Sequence, residues 1–220
     1  MNIALSSLYF PPLEFFYRIK KAEKIIIDLG EPFLKQSYRN RCRILGANKI
    51  QNLVVPIQHP YNNVPIKDVK IDYRETWARH HVRSIQSAYG KAPFFDFFFE
   101  AFTAPILKKH AFLADLNSDI LTVCLNVLRW PKDIVFVEKF EIVDTDSFID
   151  CRKEIHPKKQ YAGKGVFMTD KYQQLFGKGF VQNLSIVDLI MNNGQGATEI
   201  LDGAKLDFER DNDYSTNSLK

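Results

Sequence analysis

Three arginines at alternate positions, Arg39, Arg41 and Arg43, sit in the stretch Lys35-Gln36-Ser37-Tyr38-Arg39-Asn40-Arg41-Cys42-Arg43. Side chains of an extended strand alternate between faces, so an extended chain here puts all three guanidiniums on one side. Like charges so placed repel unless anions or carboxylates neutralise them, and the planar guanidinium fork suits phosphate or carboxylate groups. Tyr38 and Asn40 interleave a ring and an amide with the charges, which points to a pocket for an anion or a nucleotide-linked sugar. A solvated edge strand carrying protective charge is the competing reading. A second constellation is Trp77, His81, Ser84 and Ala88, which share one face of a helix at their three- and four-residue spacing. His81 then reads as a general base or a carbonyl polariser with Ser84 as its hydrogen-bond partner. A satisfied core or surface histidine is the alternative. His80 lies about 100° round such a helix and faces elsewhere. The two motifs are expected to converge on one cleft.

Other chemistry finds less support. The five histidines show no HxH, HxxxH or HExxH spacing, so no metal site is read from them. Asp144, Asp146 and Asp150 cluster, but acidic residues beside Ser147 read as capped turns. Phosphate-binding and nucleophile-elbow signatures are absent, and no cofactor motif is present. Gly163-Lys164-Gly165 is too short a glycine loop to carry a phosphate site. The run Phe94-Phe95-Asp96-Phe97-Phe98-Phe99 reads as core packing, with a homodimer face as an option, rather than as a lipid site.

The elements that must position these residues can be read from periodicity and breakers. Residues 2–6 form a short apolar strand, Pro11-Pro12 opens a helix over 13–22, and 24–30 is a β-branched strand closed by Gly30. Strand, short helix and strand make a β-α-β unit with a parallel pair. Residues 41–45 and 50–55 flank Gly46-Ala47-Asn48 as a β-hairpin. Another short strand is expected near 66–71. Helices follow over 75–89, 93–102, 105–114 and 117–130, the last capped by Asn117 or Ser118 and ended by Pro131. A strand over 133–137 and helices over 170–176 and 184–191 complete the reading, with Ser185 capping the last and Asn193-Gly194 stopping it. The expected architecture is α/β (mixed α+β): an N-terminal β-α-β unit and a hairpin with a helical lobe in the middle of the chain. One domain over 1–203 and a flexible tail over 204–220 are expected.

Composition narrows the class. Hydrophobic residues are 45% and charged residues 25% of 220, which excludes disordered and fibrous classes. A net charge of +4 is too mild for a nucleic-acid binder but fits an anionic small molecule. Three cysteines, Cys42, Cys124 and Cys151, cannot all pair, which favours a reducing cytoplasm. The apolar start lacks a basic residue ahead of it and is broken by Pro11-Pro12, which argues against a secretory signal. The longest apolar stretch, 94–107, holds two acidic residues and is shorter than the roughly 18 residues of a membrane span.

Several blocks resemble the WbqC-like protein family, in the branch typical of Bacteroides-type bacteria. One is the opening strand followed by Tyr9-Phe10-Pro11-Pro12-Leu13-Glu14-Phe15-Phe16. Another is Lys35 to Cys42 with Ile44 and Gly46-Ala47-Asn48. A third is Trp77, His81, Arg83, Ser84, Ile85, Ala88 and Tyr89, running into Ala92-Pro93-Phe94-Phe95; a fourth is Asn183 to Leu189 with Asn193-Gly194. The family often carries a polar pair such as His-Gln just before the tyrosine–proline motif, where this chain has Ser6-Ser7-Leu8. The resemblance implies a setting in O-antigen and other surface-polysaccharide biosynthesis, with acyl or aminoacyl transfer to a sugar as the suggested role. Three hypotheses follow. In a transferase, Lys35, Arg39 and Arg41 would hold the anionic part of a nucleotide- or lipid-linked sugar, Tyr9 and Tyr38 would stack on it, and His81 with Ser84 would take the proton, with Asn40, Arg83 and Tyr89 also at the site. In a nucleotidyl or phosphoryl transferase, Asp28 at a strand end would hold a metal. The third is a non-catalytic sugar-nucleotide binder or scaffold.

Overall fold

Two five-residue runs with four buried positions each, Asn2–Ser6 (β1) and Lys24–Asp28 (β2), form the centre of a parallel sheet. Strands covered on both faces read as near-continuous apolar runs, as these do. The computed structural model describes residues 2–58, 63–140, 148–158, 166–177 and 179–207. Helix α1, Leu13–Lys20, links β1 to β2 and buries Leu13, Phe15, Phe16 and Ile19. Next come the hairpin β3, Arg41–Leu45, and β4, Ile50–Val54, paired antiparallel with Arg41 opposite Val54. Helices α2 (Trp77–Tyr89), α3 (Phe95–Leu107) and α4 (Leu113–Leu128) build the central lobe. Strands β5 (Ile134–Val137) and β6 (Phe148–Asp150) return to the first sheet, whose order is β5-β2-β1-β6, all parallel. The mixed α/β class expected from the sequence is what the chain forms.

The C-terminal part packs back onto the start of the chain. It comprises β7 (Val166–Met168), α5 (Ile186–Asn193), α6 (Ala197–Asp202) and β8 (Lys205–Asp207). The Leu13 N–H donates to the Leu184 carbonyl, and the Ile186 N–H to the Pro11 carbonyl. The Ser185 N–H reaches the Arg43 carbonyl, while its Oγ accepts from the Val187 N–H and caps α5 as expected. These bonds tie the chain after β1, the hairpin and α5 into one core.

Several local expectations give way to tertiary packing. Instead of a strand over 66–71, Ile66–Asp68 makes a 3-10 turn, closed on the Pro65 and Ile66 carbonyls, and Lys70 and Ile71 form only isolated bridges, to Phe112 and Ile57. The two helices expected either side of Thr103 are one, with Pro105 inside its last turn; the break falls at Lys109, whose φ is 57°. Helix α4 therefore starts at Leu113, and Asn117, expected as a cap, is buried inside it, where its amide donates to Ser7 Oγ and to the Arg39 carbonyl. The helix stops at Leu128 on a left-handed Arg129, ahead of Pro131. Residues 170–176 are irregular, held by the Gln174 amide, which donates to the Val181 carbonyl and accepts its N–H. In the segment expected to fray, Ala204 is buried and Lys205–Asp207 pairs antiparallel with β7; residues 208–220 lie outside the described residues. The phenylalanine run is only half core: Phe94, Phe97 and Phe98 form one ring cluster, and Phe97 is 75% exposed.

Candidate functional site

The carboxyl ends of the parallel strands meet in a crevice of about 680 Å³. The chain leaves β1 toward β2 on one side while β6 lies on the other, and open α/β sheets bind ligands where connections diverge in this way. Asp28 ends β2, Asp150 ends β6, and Arg152 bridges them. Its Nη1 donates to Asp28 Oδ2 at 2.6 Å, and its Nε and Nη2 grip Asp150 Oδ1 and Oδ2 at 3.0 and 2.7 Å. The Arg152 Nη1 also reaches the Phe140 carbonyl, and the guanidinium stands over that ring. Arg152 is raised above the ordinary arginine range by its hydrogen bonds to Asp150 first, while Asp150 is held low by the same contact. The Gly30 N–H closes a turn on Asp28 Oδ1, and a Cβ at Gly30 would drive into the Glu138 carbonyl, so this strand end needs glycine.

A second pair forms the floor. Arg39 Nη2 lies 2.7 Å from Glu31 Oε2, Nε donates to Oε1 at 3.2 Å, and both residues are buried. Ser6 Oγ, at the end of β1, accepts from Arg39 Nη2 and donates to the Arg152 carbonyl. Burial pushes the Glu31 carboxyl above the usual range, and the attraction of Arg39 only partly opposes it. Lys139, Lys153 and Glu154 complete the charged lining, and Phe33 supplies an apolar edge. Four cations and four carboxylates therefore line the crevice, and Arg39 and Arg152 hold three of the carboxylates in ion pairs.

The residues singled out by the sequence divide among three places. Arg39 points into the crevice from a turn ahead of β3, so it does not share a face with Arg41 and Arg43. The left-handed Gln36, φ 58°, starts that turn. Lys35, Asn40 and Arg41 line a neighbouring cavity of about 270 Å³, which has Phe33 in common with the crevice. Tyr9, Tyr38, Tyr89 and His81 belong to the core instead, and neither cavity includes them. Such burial leaves Tyr9 and Tyr38 no face on which a sugar could stack.

His81 is oriented by Tyr9, not by Ser84. Its Nδ1 lies 2.8 Å from Tyr9 Oη, and its ring packs edge-on against Trp77 at 5.1 Å. Burial depresses the His81 imidazole to about 4, so it is neutral at physiological pH. Ser84 is half-buried on α2 and Arg83 is exposed. His59, Asp144, Asp146 and Gly163-Lys164-Gly165 lie outside the described residues, and among the described residues no three His, Cys, Asp or Glu are grouped to hold a metal. Asp28, read as a metal holder, is taken up by Arg152 and the Gly30 N–H. Sequence reasoning missed Glu31, Asp150 and Arg152 as site residues. A strand-end carboxylate and an Asp-x-Arg pair were the only local signals, and neither says that they meet. His156, half-buried, links the two cavities electrostatically: burial, then Arg39, and more weakly Arg41 all lower its imidazole.

Among the described residues all three cysteines are unpaired and buried, and no helix is long and apolar enough to cross a membrane. An uncharacterized protein of Mycobacterium tuberculosis (strain ATCC 25618 / H37Rv) is 24% identical over 223 residues, covering 90% of this chain and 95% of that protein. No solved structure matches the chain. The model of the WbqC-like protein family matches residues 7–166 and 164–200, a span that runs from just after β1 into α6 and takes in both cavities. On that match over most of its length, the chain belongs to the WbqC-like protein family.

Proposed function

We propose that the crevice at the carboxyl ends of β1, β2 and β6 binds a sugar, and that the protein transfers an acyl or aminoacyl group to it in surface-polysaccharide biosynthesis. The charge-balanced lining carries this reading. A sugar hydroxyl both donates and accepts, so carboxylates and guanidiniums fixed beside one another suit it better than they suit a bare ion. Phe33 and Phe140 add apolar edges for the ring faces. The family's association with O-antigen clusters supports the sugar class. Glu31 is the group suited to take the proton from the attacking hydroxyl or amine, because burial raises its basicity while Arg39 fixes its direction. A positioned base of this kind contributes about 10²–10⁴-fold. This reading puts the protein in the cytoplasm, where its thiols stay reduced.

Calorimetric titration with free hexosamines, on the wild type and on Asp150→Asn, tests the site. Saturable binding that weakens in the variant is expected; absent binding, or binding indifferent to Asp150, overturns the assignment. A purely binding role is the second reading, favoured by the pairing of Asp28, Glu31 and Asp150 with arginines. Binding retained in Glu31→Gln, together with no acyl transfer by the wild type, would select it.

A further inference from the structure

Beside the crevice, the cavity of about 270 Å³ has a different chemistry. Its polar lining is Lys35, Gln36, Asn40, Arg41 and Gln58, with two cations and no carboxylate. Arg41 extends from β3, whose pairing with Val54 fixes its backbone, and its Nε is buried without a hydrogen-bond partner among the described residues. Burial lowers the guanidinium, and no carboxylate opposes that effect. Leaving a buried guanidinium N–H unpaired is costly, and an anion bound against the same guanidinium would offset that cost. Asn40 beside it is anchored to the hairpin: its amide nitrogen donates to the Val55 carbonyl, while its Oδ1 is buried with no donor among the described residues. Gln36 holds a left-handed φ of 58° at the rim, a backbone state that a side chain adopts at a cost.

From these observations we infer that this cavity is a phosphate subsite, and that the sugar in the crevice is carried on a phosphate or diphosphate. An anionic oxygen would pair with the outer end of the Arg41 guanidinium, which lines the cavity, and Lys35 would pair with a second oxygen as a mobile point charge. Two cations beside one another with no carboxylate in the lining ask for an anion of more than one charge, which a phosphate or diphosphate provides. The volume admits one or two phosphates but not a whole nucleotide-linked sugar, and Phe33, common to both cavities, places the linkage between phosphate and sugar at that wall. The inference rests on the sugar reading only for what occupies the crevice; the phosphate subsite is argued from its own lining.

Titrations of the full chain with inorganic pyrophosphate, a free hexosamine, a UDP-hexose and a short-chain polyprenyl-diphosphate hexose separate the terms. Arg41→Met and Lys35→Met are each compared with wild type. Pyrophosphate should bind the wild type and weaken about tenfold or more in Arg41→Met, the worth of a charge-assisted bond. A several-fold loss is expected in Lys35→Met, whose side chain is exposed. Free hexosamine affinity should not change in either variant. Whichever diphosphate sugar binds tighter than both pyrophosphate and hexosamine identifies the carrier as nucleotide or lipid. Pyrophosphate that fails to bind at about 10 mM, or binds both variants as tightly as wild type, overturns the subsite. Hexosamine binding that survives such a failure leaves the sugar reading intact. Pyrophosphate binding lost in the variants, with no hexosamine binding at all, sinks the sugar reading and keeps the subsite.

Discussion

Replacing Arg39 with methionine keeps much of the side chain's length and apolar volume but removes the fork that holds Glu31. Both residues are buried, at 6% and 9% exposure, and the fork makes two contacts to the carboxylate and one to Ser6 Oγ. Removing one partner of a buried ion pair strands the other, at a cost of about 3–5 kcal/mol. For a chain of this size each kcal/mol moves the melting midpoint by about 2–4 °C, so Arg39→Met should melt about 6–20 °C below wild type. The loss should depend on pH with a definite sign. Burial already raises the Glu31 carboxyl, and without Arg39 it rises further. A carboxyl raised in the folded state contributes stability that is full below its unfolded pKa and lost as pH climbs through the folded one. The deficit of Arg39→Met should therefore be larger near pH 8 than near pH 5. The double variant Arg39→Met/Glu31→Leu removes the stranded charge and should recover most of the loss. Melting followed by circular dichroism at both pH values, on all three proteins, makes the comparison. Equal deficits at the two pH values, or a double variant no more stable than the single one, would refute the buried-pair account.

His81 gives a pH dependence of the opposite sign. Its folded pKa is depressed to about 4 by burial, so its contribution is present above the ordinary value of about 6.5 and lost as pH falls between them, about 3 kcal/mol in all. His81→Gln should flatten the urea midpoint over that window, and an unchanged slope would show that the imidazole does not titrate there. Gly30→Ala drives a Cβ into the Glu138 carbonyl and should cost at least about 2 kcal/mol by forcing β2 and β5 apart beyond Asp28. A variant as stable as wild type in urea would mean that this turn relaxes freely.

Much of the local fold was legible in the chain. Apolar runs at 2–6 and 24–28, helical spacing after Pro12, turn chemistry at Gly46-Ala47-Asn48 and the Ser185 cap are short-range signals, and each acts within a few residues through sterics or a backbone hydrogen bond. The parallel pairing of β1 and β2 followed as well, since a short helical crossover leaves little alternative. Positions where several weak signals competed went the other way. Asn117 resembles a cap by type, yet the helix reaches back to Leu113 because the buried amide has Ser7 and Arg39 to satisfy it. Arg39, Arg41 and Arg43 are alternate in sequence, but the turn at Gln36 delivers Arg39 to Glu31 before the strand begins. Tyr38 and His81 are chemically capable side chains that the core absorbed: burying a ring gains apolar contact, and for His81 the Tyr9 hydroxyl supplies a partner to its Nδ1. The crevice itself belongs to tertiary structure alone. Phe148–Asp150 pairs with β1 across more than a hundred residues, and only that pairing brings Asp150 and Arg152 to Asp28. Sequence fixes which groups are available; desolvation and charge pairing depend on which distant groups come within a few ångströms, and the packed chain decides that.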